Sequence, residues 1–227
     1  MLNLKTLKSI VITKLSPEEI KERLGRNLPG ADAQWRMAPA GRPTNLIDGA
    51  LKAAVLIPLV LTDNSPSVIL IQRSEYAGVH SGQFAFPGGK FDEGEDLPSK
   101  VALREAEEEI GLRAEHCSIL GNLSSLYIPV SRMHVFPVVG SIGNIVNLTR
   151  NEREVHAIYT IPLAHFFVPE NIGIFELPTI QKSVPGFRLE SGILWGATAM
   201  MLSELLDVLE PKLWRQLSQG NFDNNKQ

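Results

Sequence analysis

The sequence has a single cysteine, Cys117, in 227 residues. One cysteine excludes an intrachain disulfide framework, the usual support of small secreted domains. Long hydrophobic runs are also missing, since the run "AAVLIPLVL" at 53–61 is interrupted by Pro58 and is far shorter than the ~20 residues of a membrane-spanning helix. The N-terminal residues lack the apolar core and small-residue cleavage site of a signal peptide. These absences predict a soluble, cytoplasmic protein with no membrane partner.

Neither sign of charge is in excess, and several familiar catalytic motifs are absent. The chain has 22 Lys and Arg against 25 Asp and Glu, so its net charge of -3 provides no electrostatic basis for binding nucleic acid. There is no G-x-S-x-G, no Walker A motif and no G-x-G-x-x-G. The five histidines lack the H-x3-H or H-E-x-x-H spacing of a zinc site. Nucleophilic, Rossmann-type and zinc chemistry are therefore disfavoured.

Hydrophobic patterning and turn residues predict alternating strands and helices. A capping box at Ser16–Glu19 begins a short helix expected to end near Gly30, and 31–50 is expected to form an arm or loop. We predict further helices over 98–110 and 195–209. Strands are expected at 53–61, 67–73, 82–86, 117–128, 133–142 and 154–161. This order favours an α/β fold, an α/β/α sandwich with a mixed sheet and helices on both faces.

Three regions are expected along the chain. Residues 1–50 are predicted to form an N-terminal helix and arm packed on or beside the main domain. The main domain is expected to span 51–220. The polar end "NFDNNKQ", residues 221–227, is expected to be a flexible tail.

The stretch "REAEEEIG" places acids at the end of a helix where negative charge is least favourable. Glu105, Glu108 and Glu109 are spaced i, i+3 and i+4, so they share one face. Their mutual repulsion and their opposition to the helix dipole would together cost about 1–3 kcal/mol. A solvated acidic face, with its repulsion relieved by nearby cations, is the simpler interpretation. That relief is small here, because Arg104 is the one cation in the same turn of the helix. A hard divalent cation such as Mg²⁺ or Mn²⁺ would reverse the sign of this cost.

The longer stretch "GGKFDEGEDLPSKVALREAEEEIGL" resembles the Nudix box, G-x5-E-x7-R-E-U-x-E-E-x-G-U with U aliphatic. One departure is visible, since eight residues rather than seven separate Glu95 from Arg104. That extra residue and the upstream "RSEYAGVHSGQFAFPGGK" resemble the coenzyme A pyrophosphatase branch of the Nudix family. The upstream motif is not met at Ile71, where the branch has Thr, or at Gly78, where it has Arg. The box positions matched are Gly89, Glu95, Arg104, Glu105, Ala106, Glu108, Glu109, Gly111 and Leu112.

The resemblance implies a Nudix-type fold and a metal-dependent pyrophosphohydrolase. It implies that Glu105, Glu108 and Glu109, with the carbonyl of Gly89, hold Mg²⁺ or Mn²⁺. It also implies that Arg104 pairs with Glu95. Gly88 is expected to form the tight turn of the loop, and Gly111 to end the helix. The implied substrate is a small nucleoside diphosphate compound, coenzyme A in the closest branch, cleaved to 4'-phosphopantetheine and adenosine 3',5'-bisphosphate.

Several residue roles stay open at the level of sequence. The general base is expected to be one of the box glutamates, Glu105 or Glu109. The loop acids Glu152 and Glu154 are outside candidates, and Glu154 is the preferred one of these two.

Three further residues are candidates for contacts with the substrate. Arg73 and Arg132 are candidate phosphate-binding residues. His80 is a candidate substrate contact, although a structural histidine is the more common case.

The apolar stripe around Met200 and Met201 is expected in the core or at a homodimer contact, with Trp195 as an ordinary anchor. A pantetheine groove at this stripe is the less favoured alternative. The alternatives to coenzyme A are another nucleoside diphosphate derivative, such as ADP-ribose or a dinucleotide, and a nucleotide-binding protein without turnover.

Overall fold

The structure is a computed structural model that describes residues 15–43, 49–61, 66–75, 80–143, 147–178 and 180–223. Within these ranges the helices are α1 (Pro17–Leu24), α2 (Ala31–Gln34), α3 (Pro98–Ile110), α4 (Gly196–Leu209) and α5 (Pro211–Asp223). The strands are β1 (Leu51–Val60), β2 (Ser67–Arg73), β3 (Phe84–Ala85), β4 (Gly88–Lys90), β5 (Cys117–Asn122), β6 (Leu126–Ile128), β7 (Met133–Ile142), β8 (Val155–Pro162), β9 (Ile172–Leu177), β10 (Lys182–Leu189) and β11 (Gly192–Trp195).

The larger sheet is mixed, as predicted. Its central path runs β3-β2-β1-β7-β5, with β4 on β1, β6 on β7 and β8 on β2. β1 and β7 are parallel along all ten residues of each strand, from Leu51 opposite Met133 to Val60 opposite Ile142. The other pairs are antiparallel. Because β1 pairs with β4 through 53–55 and with β2 through 59–60, it organises the strands around Gly88 and Gly89.

A helix covers each face of the larger sheet, which confirms the predicted α/β/α sandwich. Side chains of opposite parity along β1 point to opposite faces. Leu56 joins the core under α3, whereas Ile57 joins the core under α4. Burial of apolar side chains of this size stabilises each layer by roughly 1.5–3 kcal/mol per residue.

A second sheet, β11-β10-β9, was not predicted. Its strands are antiparallel, and β10 contains Pro185 and Gly186, which interrupt the alternation that predicts a strand. This small sheet packs beside α4 and delivers Trp195 and Gly196 to the helix start. The second sheet therefore forms an additional layer beside α4.

The N-terminal region differs from its prediction in two respects. The capping box at Ser16 and Glu19 is present, but α1 ends at Leu24 and not near Gly30, because Gly25 caps it five residues earlier. Residues 31–37, expected as part of an arm or loop, form α2 and a short 3-10 helix, Trp35–Met37. Residues 44–48 lie outside the described part of the chain.

Two other predicted elements also differ from the structure. The predicted strand over 117–128 is two strands, β5 and β6, separated at Leu123 to Ser125. The turn expected at Gly88 and Gly89 includes a strand, β4, which pairs with β1. Helix α5 runs to Asp223, and 224–227 lie outside the described residues. The division of the chain at residues 50 and 220 stays a prediction.

No helix among the described residues combines the length and the apolar character needed to cross a membrane.

Candidate active site

Helix α3 ends at Gly111, as its sequence predicted. Gly111 is left-handed, with φ 67° and ψ 19°, and its N–H donates to carbonyls of the last helical turn. The loop before β8 then satisfies two more carbonyls of the helix: Thr149 N–H donates to Ile110 O at 3.0 Å, and Asn151 N–H donates to Glu109 O at 2.9 Å. The loop that carries Glu152 and Glu154 is thereby tied to the acidic end of α3.

Arg104 joins the loop after β4 to the side of α3. Its Nε and Nη2 donate to the two oxygens of Glu95, each at 3.0 Å, and Nη2 also donates to Lys90 O at 3.1 Å. This bidentate pair forms despite the extra residue between Glu95 and Arg104. The arginine lowers the pKa of Glu95, with help from the Asp92 N–H. The loop is therefore held against the helix by one guanidinium.

Glu109 is the buried acid of the site, with 2% of its surface exposed. Its Oε2 accepts the Gly88 N–H at 2.9 Å, and its Oε1 lies 3.7 Å from Arg73 Nη1. Burial raises the pKa of Glu109 to about 7; Arg73 and the Gly88 N–H oppose that rise, and the charges of Glu105 and Glu154 add to it. Glu109 is therefore a carboxyl group able to hold a proton near neutral pH.

Glu105 lies over Gly89. A Cβ atom at Gly89 would be 2.4 Å from the Glu105 carboxylate, so a side chain at residue 89 would displace that carboxylate. Arg104 Nη1 donates to Glu105 Oε1 at 2.8 Å. Burial raises the pKa of Glu105, Arg104 lowers it, and the charges of Glu108 and Glu154 raise it further.

Glu108 is the most exposed of the three acids on this face, with 55% of its side chain accessible. It accepts from Arg104 Nη1 at 3.3 Å and does not line the cavity described below. Its role as a metal ligand stays a prediction.

The two loop acids face different directions. Glu154 lines the cavity and is close enough to Glu105 and Glu109 to raise the pKa of both. Its carboxylate has no hydrogen bond or ion pair among the described residues. Glu152 is 79% exposed, pairs with Arg150 at 3.2 Å and is not part of the cavity wall. The geometry thus favours Glu154 over Glu152 as a group that can reach a ligand.

The donor set of this site fits a hard divalent cation. Burial is the main cause of the raised pKa of Glu105 and of Glu109, and the charge of Glu154 adds to both. A cation among the three carboxylates would relieve that repulsion. Within the described ranges, however, no three acidic, His or Cys side chains already converge on one point at ligand distance. Arg104 holds Glu105 and Glu108 to one side. A cation would therefore compete with Arg104 for these two carboxylates.

Glu105, Glu109 and Glu154 line a cavity of about 1150 Å³. Arg73 and His80, both expected at the site, line it; Arg73 also donates to Gly88 O at 3.3 Å, and His80 contacts Gln83 at 3.2 Å. Arg132 does not line it: it lies exposed in the turn before β7, with φ 53°. Gly78, where the branch motif has Arg, lies outside the described residues.

Much of the cavity wall was not predicted from the sequence. The far side is formed by residues before β1, by the β6–β7 turn and by the second sheet with α4. Met201, expected in the core or at a homodimer contact, is part of this wall together with Trp195. The polar and charged residues that were missed are Arg42, Gln83, Lys90, Asp92, Ser131, Lys182 and Thr198. Gln83, Lys90 and Asp92 lie within the stretches that carry the motif. Arg42, Ser131, Lys182 and Thr198 belong to no local motif, because the fold alone brings their segments to the cavity.

Comparison with known proteins gives consistent matches. Residues 50–180 match the family model described as the NUDIX domain. The chain is 31% identical to Nudix hydrolase 3 of Caenorhabditis elegans over 219 residues, covering 87% of this chain and 88% of that protein. It is 32% identical to the human mitochondrial coenzyme A diphosphatase NUDT8 over 195 residues, covering 83% and 78%.

A bacterial relative and a solved structure are also similar. Uncharacterized Nudix hydrolase NudL of Yersinia enterocolitica is 35% identical over 158 residues, covering 67% of this chain and 78% of that protein. The crystal structure of RenU, a Nudix hydrolase from M. smegmatis, aligns with a TM-score of 0.48 at 16% identity, covering 76% of this chain and 92% of that one.

Proposed function

Because the chain belongs to the Nudix family of hydrolases, we propose that it cleaves the diphosphate of coenzyme A or of a coenzyme A derivative. The products would be 4'-phosphopantetheine and adenosine 3',5'-bisphosphate. The observation that carries this proposal is the lining of the cavity, which combines an acidic end at Glu105, Glu109 and Glu154 with a second part that contains Trp195 and Met201. A diphosphate suits the first end, and a long, weakly polar pantetheine chain suits the second.

The acidic end can accept a diphosphate only together with a cation, because carboxylates alone repel phosphate. A divalent ion, which we propose to be Mg²⁺ or Mn²⁺, would neutralise charge on the phosphate oxygens and make water more acidic. Glu105, Glu109 and the predicted ligand Glu108 would hold that ion. Arg73, which lies at the end of β2 beside Glu109, would contact a phosphate oxygen.

Glu154 is the general base that the geometry supports best. Glu105 is engaged by Arg104, and Glu109 accepts the Gly88 N–H. The Glu154 carboxylate lines the same cavity and is free of such partners among the described residues. It is therefore available to accept a proton from water that attacks phosphorus.

The similarity to the human coenzyme A diphosphatase supports this substrate. The second candidate is another nucleoside diphosphate derivative, such as ADP-ribose or a dinucleotide, since the acidic end alone would serve any of them. A location in the cytoplasm and a homodimer remain proposals as well.

The deciding experiment compares coenzyme A, ADP-ribose and a dinucleoside polyphosphate at equal concentration, each with Mg²⁺ or Mn²⁺. Products are identified by mass spectrometry. The proposal expects coenzyme A to give the highest kcat/KM and to yield equal amounts of 4'-phosphopantetheine and adenosine 3',5'-bisphosphate. Faster cleavage of ADP-ribose or of the dinucleotide would support the second candidate, and binding without turnover of any compound would contradict both.

A further inference from the structure

Arg42 is a partly buried cation on the wall of the cavity that has no acidic partner in the described part of the chain. Its Nη2 donates to the Tyr127 carbonyl at 2.6 Å. The ion pairs of the described residues do not include it. Burial lowers its pKa, and no nearby anion counters that effect. A desolvated guanidinium without a counter-charge is costly unless a ligand provides the anion.

The guanidinium of Arg42 lies well away from the acidic end. Tyr127 on β6 is opposite His134 on β7, His134 is opposite Lys52 on β1, and the next strand across is β4 with Gly89. Three steps of ~4.8 Å between neighbouring strands place Tyr127 about 14 Å from β4. A diphosphate seated at Glu105 and Glu109 is too short to reach Arg42 as well. An anion bound at Arg42 would therefore be a separate group from the diphosphate.

The segment that carries Arg42 is held in place from two sides. The buried carboxylate of Glu204 on α4 accepts the Gly30 N–H at 3.2 Å and Gln34 Nε2 at 2.7 Å. The same carboxylate accepts the Ser124 N–H, close to β6, at 3.1 Å. One side chain thus fixes the segment before Arg42 to the strand region that receives it. The segment that leads to Arg42 is therefore anchored to the folded domain, and Arg42 itself is held by the Tyr127 carbonyl.

We propose that Arg42 binds a phosphomonoester carried on the nucleoside of the substrate, apart from the diphosphate that is cleaved. This inference rests on the proposed function, where that group is the 3'-phosphate of coenzyme A. Lys182 on β10 is a second cation in the wall of the same cavity and is exposed. Arg42 lies outside residues 50–180, which match the family model. Because Arg42 would contact the phosphomonoester, this chain should select a 3'-phosphorylated nucleotide over one without that group.

The test compares coenzyme A with 3'-dephospho-coenzyme A in the wild type, Arg42→Gln, Arg42→Lys and the control Arg26→Gln. Arg26 is an exposed arginine of the N-terminal region, paired with Glu22 and away from the cavity. The wild type is expected to prefer coenzyme A in kcat/KM. Arg42→Gln should reduce that preference roughly 10- to 100-fold, the range for loss of a charged hydrogen bond. Arg42→Lys should retain part of it, and Arg26→Gln all of it.

The ratio of the two substrates is insensitive to partial misfolding, since a folding defect lowers both rates alike. An equal loss on both substrates in Arg42→Gln would overturn the inference.

A binding arm separates failure of this inference from failure of the proposed function. Calorimetry without metal compares adenosine 3',5'-bisphosphate with adenosine 5'-monophosphate. Tighter binding of the bisphosphate by the wild type, lost in Arg42→Gln, supports the role of Arg42 even if coenzyme A is not the physiological substrate. Equal affinity of the wild type for the two nucleotides would overturn it.

Discussion

The carboxylate of Glu105 lies directly against Gly89, so that a Cβ atom at residue 89 would be 2.4 Å from its carboxyl atoms. The two residues come from different elements, since Gly89 is in β4 and Glu105 is in the middle of α3. Arg104, next to Glu105, reaches back over the same strand to the Lys90 carbonyl. The strand and the helix therefore position the carboxylate together.

Gly89→Ala is expected to displace the Glu105 carboxylate, because the contact distance is shorter than any real Cβ contact. We expect a loss of turnover of at least about 100-fold with the fold retained, in line with the sensitivity of catalysis to displacements near 1 Å. The matched control is Gly143→Ala, since a Cβ there meets nothing within 4 Å. Steady-state kinetics measures turnover, and circular dichroism measures whether the fold is retained. Wild-type turnover in Gly89→Ala would contradict the placement of Glu105 at the reacting centre.

The central helix and its acids could be predicted from the sequence because their signals are local. Pro98 and Gly111 mark the two ends of α3, and the i, i+3, i+4 spacing places the acids on one face. The cavity wall could not be predicted in this way. Arg42 is located by a carbonyl 85 residues further along the chain. Helix α2 is only four residues long, and its position depends on Ser203, whose hydroxyl donates to Ala33 O at 2.6 Å.

The raised pKa of Glu109 gives the metal-free protein a specific dependence of stability on pH. The folded state keeps a proton on Glu109 up to about pH 7, whereas the unfolded chain releases it near 4.5. The stabilisation that comes from protonated Glu109 in the folded state is fully present below pH 4.5 and is lost as the pH rises through about 7. The loss amounts to at most about 3 kcal/mol.

Glu109→Gln should remove this loss, because the amide does not ionise. In a chelator, urea unfolding of the wild type and of Glu109→Gln is measured from pH 4.5 to 8. We expect the variant to gain stability relative to the wild type as the pH rises. Glu107→Gln, a change at an exposed position of the same helix, serves as the control and should track the wild type. A difference in unfolding free energy between Glu109→Gln and the wild type that stays constant across this pH range would contradict a raised pKa for Glu109.

Glu154→Gln is expected to reduce kcat by about 100-fold or more, the usual contribution of a general base. KM should change little, since the residue acts on water and not on the substrate. Glu152→Gln is a close control, because Glu152 is in the same loop but points to solvent and pairs with Arg150. The pH dependence of kcat is measured for both variants. Equal effects of the two substitutions would show that the loop matters but the Glu154 carboxylate does not.

The central claim is that the acids at the end of α3 hold a divalent cation, and titration with Mn²⁺ tests it most directly. Electron paramagnetic resonance measures free Mn²⁺ as protein is added, with and without adenosine 3',5'-bisphosphate. Saturable binding by the wild type, weakened at least about tenfold in Glu105→Gln and in Glu109→Gln, is the predicted result. Folded wild-type protein that takes up no Mn²⁺ with or without the nucleotide would contradict it.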